Sequence, residues 1–233
     1  SIGGHYSSPL GVVDLSIALH YIYNSPEDKL VLDVGHQAYA HKIITGRRDR
    51  FNTLRKKEGI SGFLKRNESV HDIFGAGHAS TSISAALGIA HARDLKKDNF
   101  QVLSIIGDGS MTGGLAYEGV NNLGYHKTQL TVVLNDNSMS ISKSVGALSR
   151  YLTKIITNPT YNKIRNDIWD ISGKLPVGSK TIRRFLRKTQ MGIKNYITPG
   201  SLFEDLGLRY IGPVDGHNIA ELIKVFKSVK DMN

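Results

Sequence analysis

The chain has 233 residues, no cysteine, and 30 lysines and arginines against 20 aspartates and glutamates, for a net charge of +10. That length fits one large domain, and 40% hydrophobic residues exclude an intrinsically disordered chain. The missing cysteines exclude a disulfide scaffold, a thiolate metal site and a cysteine nucleophile, and no apolar run reaches the ~20 residues of a membrane-spanning helix. The positive charge alone raises nucleic acid as a partner. No helix-turn-helix, zinc-finger or RNA-binding signature accompanies it, and a basic domain equally suits phosphorylated small molecules. The opening residues Ser1-Ile2-Gly3-Gly4-His5 form no signal peptide and carry no initiating methionine, so the chain is expected to start inside a longer polypeptide.

Taken in order, residues 10–23 (LGVVDLSIALHYIY) show apolar residues at helical spacing. Residues 29–34 (KLVLDV) form a short apolar run that ends at Gly35-His36, a buried strand and its exit loop. Gly75-Ala76-Gly77-His78 is a glycine-rich turn that opens a long helix with a face of small residues (ASTSISAALGIAHARDL). Residues 101–106 (QVLSII) predict a second buried strand stopping at Gly107-Asp108-Gly109, and residues 113–123 a helix. Residues 130–134 (LTVVL) predict a third strand stopping at Asn135-Asp136-Asn137. Strands alternating with helices predict an α/β fold, a parallel sheet with helices on both faces. Ligands in such sheets bind beyond the carboxyl ends of the strands, where all the polar residues above gather. Residues 150–196 are strongly basic, with only Asp167 and Asp170 as acids, and are expected to form a basic, mobile insert. An alternating pattern returns at Leu208 to Ile211, before Gly212-Pro213-Val214-Asp215-Gly216-His217.

The segment from Gly107 to Asn137 carries the sharpest chemistry. Alone, Gly-Asp-Gly is a common turn whose aspartate caps a helix. Here a strand precedes it, a helix follows it, and a further strand delivers Asn137, 29 positions after Asp108. A βαβ unit sets Asp108 and Asn137 side by side at the ends of neighbouring strands. Both offer hard oxygen ligands suited to Mg²⁺, which takes six oxygens at ~2.0–2.1 Å and shares them with phosphate and water. The flanking glycines let main chain approach a phosphate, at a helix start that points amides toward it.

This pattern, Gly-Asp-Gly followed by the distant asparagine, resembles the signature of thiamin-diphosphate enzymes. Three longer stretches narrow the resemblance: GGHYSSPLGVVDLSIALHYIY, DVGHQAYAHKIITGRRDRF and LNDNSMSISKSVGAL. They resemble the 1-deoxyxylulose-5-phosphate synthases, and the transketolases less closely. The resemblance implies the thiamin-diphosphate-binding fold and a transferase that joins pyruvate to glyceraldehyde 3-phosphate with loss of carbon dioxide. It implies that Asp108, Asn137 and the main-chain carbonyl of Met139 hold Mg²⁺. It places Gly109 and Ser110, and Gly77, His78 and Ala79, along bound thiamin diphosphate. His5 and His36 fall beside the reacting carbon, where protons must reach oxygen as bonds form, work suited to histidine.

Nine histidines are present; His41, His71, His91 and His126 are read as surface or core residues, and His217 as part of a turn that closes the domain. The resemblance assigns the glutamate that activates the cofactor's aminopyrimidine to a following domain. Glu118 is therefore read as structural, and residues 1–233 as one diphosphate-binding domain that is inactive alone. It further implies C-terminal domains of the same enzyme, a homodimer without nucleic-acid or membrane partners, and a cytoplasmic location, or a plastid in a plant or alga. An N-terminal chain of a split transketolase and a non-catalytic cofactor-binding fragment are the alternatives.

Overall fold

The computed structural model of the chain describes residues 4, 7–75, 77–136 and 201–232. The three apolar runs become parallel strands β1 (Lys29–Leu32), β2 (Val102–Gly107) and β3 (Thr131–Asn135), in the order β1-β2-β3. Lys29 pairs with Val102 and Leu32 with Ile105; Leu103 pairs with Thr131 and Gly107 with Asn135. Apart from their first or last residues, β1 and β2 are buried, whereas every residue of β3 is half-buried. Burial from both faces explains why β1 and β2 read as continuous apolar runs instead of alternating ones.

Helices cover the two faces. The first stretch gives α1 (Ser7–Leu10) and α2 (Val13–Ile22); a short α3 (Tyr39–Lys42) follows β1 and runs into tight turns ending at Thr53. Then come α4 (Ser82–Lys96) and α5 (Gly114–His126). Further along lie α6 (Ser201–Asp205) and α7 (Ile219–Lys230). Side chains alternate along a strand, so Leu30, Leu32, Leu103 and Ile105 pack with Leu15, Leu19, Leu222 and Phe226 of α2 and α7. Val31 and Val102 face the other way, against Ala86 and Ala90 of α4. Those alanines let α4 lie close to the sheet. A Cβ at Gly119 of α5 would meet Ile83 and Ser84 of α4 at 3.0 Å, so the two helices also approach closely.

Buried polar groups tie down the amino ends of the strands. The Asp28 carboxylate accepts the amides of Asn24 and Gln101, each at 2.8 Å. The Arg93 guanidinium donates to the carbonyls of Phe100 and Gln129 at 3.1 and 3.0 Å. Those residues stand two positions before β2 and β3, so α4 anchors both strand entrances.

The chain divides into two compact units, one of residues Ser1–Ser144 with Val214–Asn233 and one of Val145–Pro213. Among the described residues, the sheet and all helices except α6 lie in the first. In the second, Gly207 (φ 85°) follows the end of α6 by two residues, and Phe203 stacks on Tyr210 with ring centroids 6.0 Å apart. The alternating run at 208–211 forms no strand among the described residues, since alternation alone supplies no partner edge. The basic stretch 150–196 lies outside the described residues. No helix among the described residues is long and apolar enough to cross a membrane.

Candidate active site

The carboxyl edge of the sheet is built from three loops. The first follows β1. Asp33 extends the strand, its amide donating to the Ile105 carbonyl at 2.8 Å. Its own carbonyl accepts the Gly35 amide at 2.5 Å and the Gln37 side-chain amide at 2.9 Å. The Asp33–Gly35 bond closes a three-residue turn around Val34, whose φ is 58°. This is the positive-φ form of the γ-turn, the rarer and strained one, and a β-branched residue rarely tolerates it. His36 leaves that turn half-buried.

The second loop carries Gly77, His78 and Ala79, all exposed. Gly77 sits at φ 147°, a conformation open to glycine alone in practice, and nothing lies within 4 Å of where its Cβ would stand. Ser80 follows at φ 71°. The amides of Ser80 and Ser82 donate to the Asp33 carboxylate at 2.9 and 3.0 Å. For this reason α4 starts at Ser82, later than its small-residue pattern alone predicts. The Asp33 carboxylate takes up the amides of the first turn, and Ser80 is held in the left-handed region.

The third loop follows β2. The Asp108 amide donates to the Asn135 carbonyl at 3.1 Å, so the ends of β2 and β3 stay together past the last strand pair. Residues Ser110–Thr112 form a single 3-10 turn, closed by the Thr112 hydroxyl donating to the Gly109 carbonyl at 2.7 Å. Gly109 is exposed, with open space where a Cβ would be. Ser80 Oγ donates to the Ser110 carbonyl at 2.7 Å and connects the second loop to the third.

Sequence-predicted residues His36, Gly77, His78, Ala79, Asp108, Gly109 and Ser110 therefore share one edge of the sheet. His5, Asn137 and Met139 lie outside the described residues. Among the described residues no three His, Asp or Glu side chains cluster as metal ligands. The expected set of one carboxylate, one amide oxygen and one main-chain carbonyl is not of that type.

A buried polar cluster joins α3 and the turns after it to residues 61–72. Arg47 grips Asp72 with two bonds of 2.9 Å and reaches Glu68 with a third of 2.9 Å. Lys42, fully buried, donates to Glu68 and lies 4.0 Å from Asp72. The amides of Lys65 and Ser61 complete the two carboxylates at 3.0 and 2.8 Å. Two cations thus face two carboxylates. His41 joins them, its Nε2 lying 3.3 Å from Asp72 Oδ1 and its Nδ1 3.0 Å from His20 Nε2. With the Asp72 side taking the His41 Nε2 proton, Nδ1 is the acceptor and His20 the donor.

Burial works against ionisation of Asp72. The hydrogen bonds from His41, Arg47 and the Lys65 amide, with the charge of Arg47, nevertheless hold its carboxyl below the ordinary range. Burial lowers His41, despite the opposing pull of Asp72. Burial, then the charges of His41 and His71, lowers His20 from 6.5 to about 4. A lowered folded value means that the folded protein binds fewer protons, so this contribution is lost as pH falls from 6.5 toward 4. His20→Gln is expected to flatten the dependence of stability on pH across that window. Denaturant titrations at several pH values check this, and an unchanged slope would refute it.

Residues 1–233 match the profile described as 1-deoxy-D-xylulose-5-phosphate synthase. The chain belongs to this family. It is 54% identical over 230 residues to the 1-deoxy-D-xylulose-5-phosphate synthase of Caldanaerobacter subterraneus subsp. tengcongensis, an overlap of 99% of the chain and 37% of that protein. To the synthase of Syntrophus aciditrophicus it is 55% identical, over 99% of the chain and 35% of that protein. The chain thus spans little more than a third of the length of these curated relatives. A transketolase variant from Pichia stipitis superposes with a TM-score of 0.57, covering 96% of the chain and 33% of its own. At 13% identity that likeness shows the fold alone, and it agrees with the expected parallel α/β architecture.

Three features of this member of the synthase family escape a reading of residue types. Asp33 and Ser80 stand inside recognisable stretches, DVGH and HAST, without any sign of their partners. The cluster around Asp72 is equally hidden. The available signals were an aspartate closing an apolar strand and the density of charge in 41–50.

Proposed function

We propose that this chain is the diphosphate- and metal-binding part of a 1-deoxy-D-xylulose-5-phosphate synthase, which condenses pyruvate with glyceraldehyde 3-phosphate and releases carbon dioxide. The observation that supports this best is the joined end of β2 and β3, where Asp108 stands against Asn135 beside exposed, glycine-rich main chain. A carboxylate at that position and open main chain at Gly77 and Gly109 fit a magnesium diphosphate. When bound, thiamin diphosphate supplies an acidic ring carbon and an electron sink for decarboxylation.

The rest of the work falls to the protein. Asp108, Asn137 and the Met139 carbonyl are assigned to Mg²⁺. Gly77, His78, Ala79, Gly109, Ser110, Asn137 and His36 are assigned to the cofactor. His5 and His36 deliver protons to the pyruvate ketone oxygen and then to the aldehyde oxygen. In this reading residues 1–233 are one diphosphate-binding domain with the basic insert 150–196 inside it. C-terminal domains of the same enzyme supply the remaining half of the cleft and the glutamate for the aminopyrimidine. A homodimer in the cytoplasm, or in a plastid of a plant or alga, completes it.

Asp108→Ala in a full-length protein carrying these residues is expected to abolish Mg²⁺-dependent retention of thiamin diphosphate. Asn137→Ala should weaken it strongly, because Mg²⁺ tolerates little departure from six well-placed oxygens. Calorimetric titration with cofactor, with Mg²⁺ and with chelator, measures both. Parental affinity in the Asp108 variant would refute the site. Turnover with ketose phosphates but not pyruvate as donor would replace the synthase activity with that of a transketolase.

A further inference from the structure

We propose that Asp33 and Ser80 are positioning residues that lock the 77–79 turn to the loop after β2, so that both stretches meet a bound diphosphate in one geometry. This rests on the reading that residues 77–79 and 109–110 face the cofactor. The two residues touch neither the expected metal nor the reacting atoms; they act through the loops.

Asp33 is 1% exposed and all its polar groups are engaged. Its main chain holds Ile105 on β2 and the turn before His36, and its carboxylate holds Ser80 and Ser82. Among the described residues no lysine or arginine pairs with it; its carboxylate bonds come from amides. Burying a carboxylate is expensive, and a neutral serine or threonine caps a helix adequately. What a carboxylate adds is two strong, directed acceptors that fix two amides at once.

Ser80 passes this placement on. Its amide is on Asp33, its backbone is left-handed, and its hydroxyl holds the Ser110 carbonyl at 2.7 Å. A Cβ at Gly113 would collide with that hydroxyl, so the third loop is seated directly on Ser80. The path Asp33–Ser80–Ser110 therefore joins the exits of β1 and β2 through the turn between them. Ser80 on this path and Val34 next to Asp33 both have strained backbone. Strain of this kind persists only where surrounding bonds over-determine it, and it gathers at functional sites.

Two variants test the proposal in a full-length protein carrying these residues. Asp33→Asn keeps one acceptor oxygen and turns an NH₂ toward a main-chain N–H. Ser80→Gly keeps the amide bond to Asp33, accepts φ 71° without penalty and removes the hydroxymethyl group, and with it the bond to the Ser110 carbonyl. The readouts are thiamin diphosphate affinity by calorimetry with Mg²⁺, the split between kcat and the KM for cofactor, and hydrogen exchange of 77–82 and 108–114 without cofactor. Ser80→Gly is expected to raise the cofactor Kd and KM about tenfold, to leave kcat at saturating cofactor unchanged, and to speed exchange in 108–114. Asp33→Asn should do the same and also speed exchange at Ser80 and Ser82.

If Asp33→Asn does not fold, Ser80→Gly decides alone. Parental cofactor affinity in a folded Ser80→Gly variant overturns the proposal, whether or not exchange has changed. Weakened affinity with unchanged exchange in 108–114 also overturns it, because the loops would then not be coupled. If the parent itself does not bind thiamin diphosphate, the functional reading fails and takes this proposal with it. A parent that binds beside variants that bind equally well overturns only the proposal.

Discussion

His36→Ala in a full-length protein carrying these residues is expected to lower turnover of pyruvate ~10²–10⁴-fold, the usual loss for one general acid or base. Thiamin diphosphate affinity should change far less. Removal of the ring leaves in place the main-chain and Gln37 bonds to the Asp33 carbonyl that close the turn. The ring is half-buried at the carboxyl edge of the sheet, three residues beyond the last residue of Asp33's strand extension. Histidine suits the role because its ordinary pKa lies near working pH. His5→Ala is expected to act in the same direction. Steady-state pyruvate consumption and calorimetry of the same preparations separate the two effects. Full turnover in both variants would remove these histidines from the mechanism. His41 makes a useful contrast: it is 2% exposed and bonded to Asp72 and His20, so its loss should affect stability before chemistry.

Asp72→Ala is expected to destabilise the domain by ~3–5 kcal/mol at neutral pH, the range for breaking a buried ion pair by removing one partner. The substitution leaves Arg47 and Lys42 buried with Glu68 as their remaining carboxylate in the cluster. It also strips the acceptor from the Lys65 amide and from His41. Unfolding by denaturant, followed for the transition of this domain, measures the loss. The pH dependence is an internal check. The folded carboxyl is held below its ordinary 3.8, so its contribution is fully present above that value and is lost as pH falls through the folded value. The gap between parent and variant should therefore narrow in acid below about pH 4. A constant gap from neutral pH to strong acid would show that charge on Asp72 is not what stabilises the cluster. Replacement of the whole cluster by well-packed apolar residues is a different experiment and need not destabilise at all.

The same cluster marks where sequence reading stops. Its members are ordinary surface-type residues, spread from His20 to Asp72, and charge runs usually mark a solvated face. The segment 61–72 folds onto α3 and the turns after it, and only then do Arg47 and Asp72, 25 positions apart, become a buried pair. Helix α4 shows the opposite failure. Its small residues favour helix from about Ala79, yet Asp33, on a strand 47 positions earlier, takes the Ser80 amide and delays the start to Ser82. Local propensity amounts to fractions of a kcal/mol per residue, and charge-assisted bonds to a buried carboxylate exceed it.

What the sequence determined by itself was local or periodic. Apolar runs of strand length, bounded by Gly, Asp and Asn, specify β1, β2 and β3, because a strand buried on both faces needs apolar residues at every position. Their alternation with helices specifies a parallel sheet, because a parallel return needs a crossover. The Gly-Asp-Gly turn and the Asn135 end of β3 then had to meet at one edge, and the Asp108–Asn135 bond follows from that pairing. Only the tertiary structure decided that Asp33 reaches Ser80 and Ser82, that Ser80 reaches Ser110, and that Asp72 gathers Arg47 and His41. These bonds span 25 to 49 positions of chain. Which donor a buried carboxylate meets is settled when strands and loops pack together, because each must find partners once water is excluded.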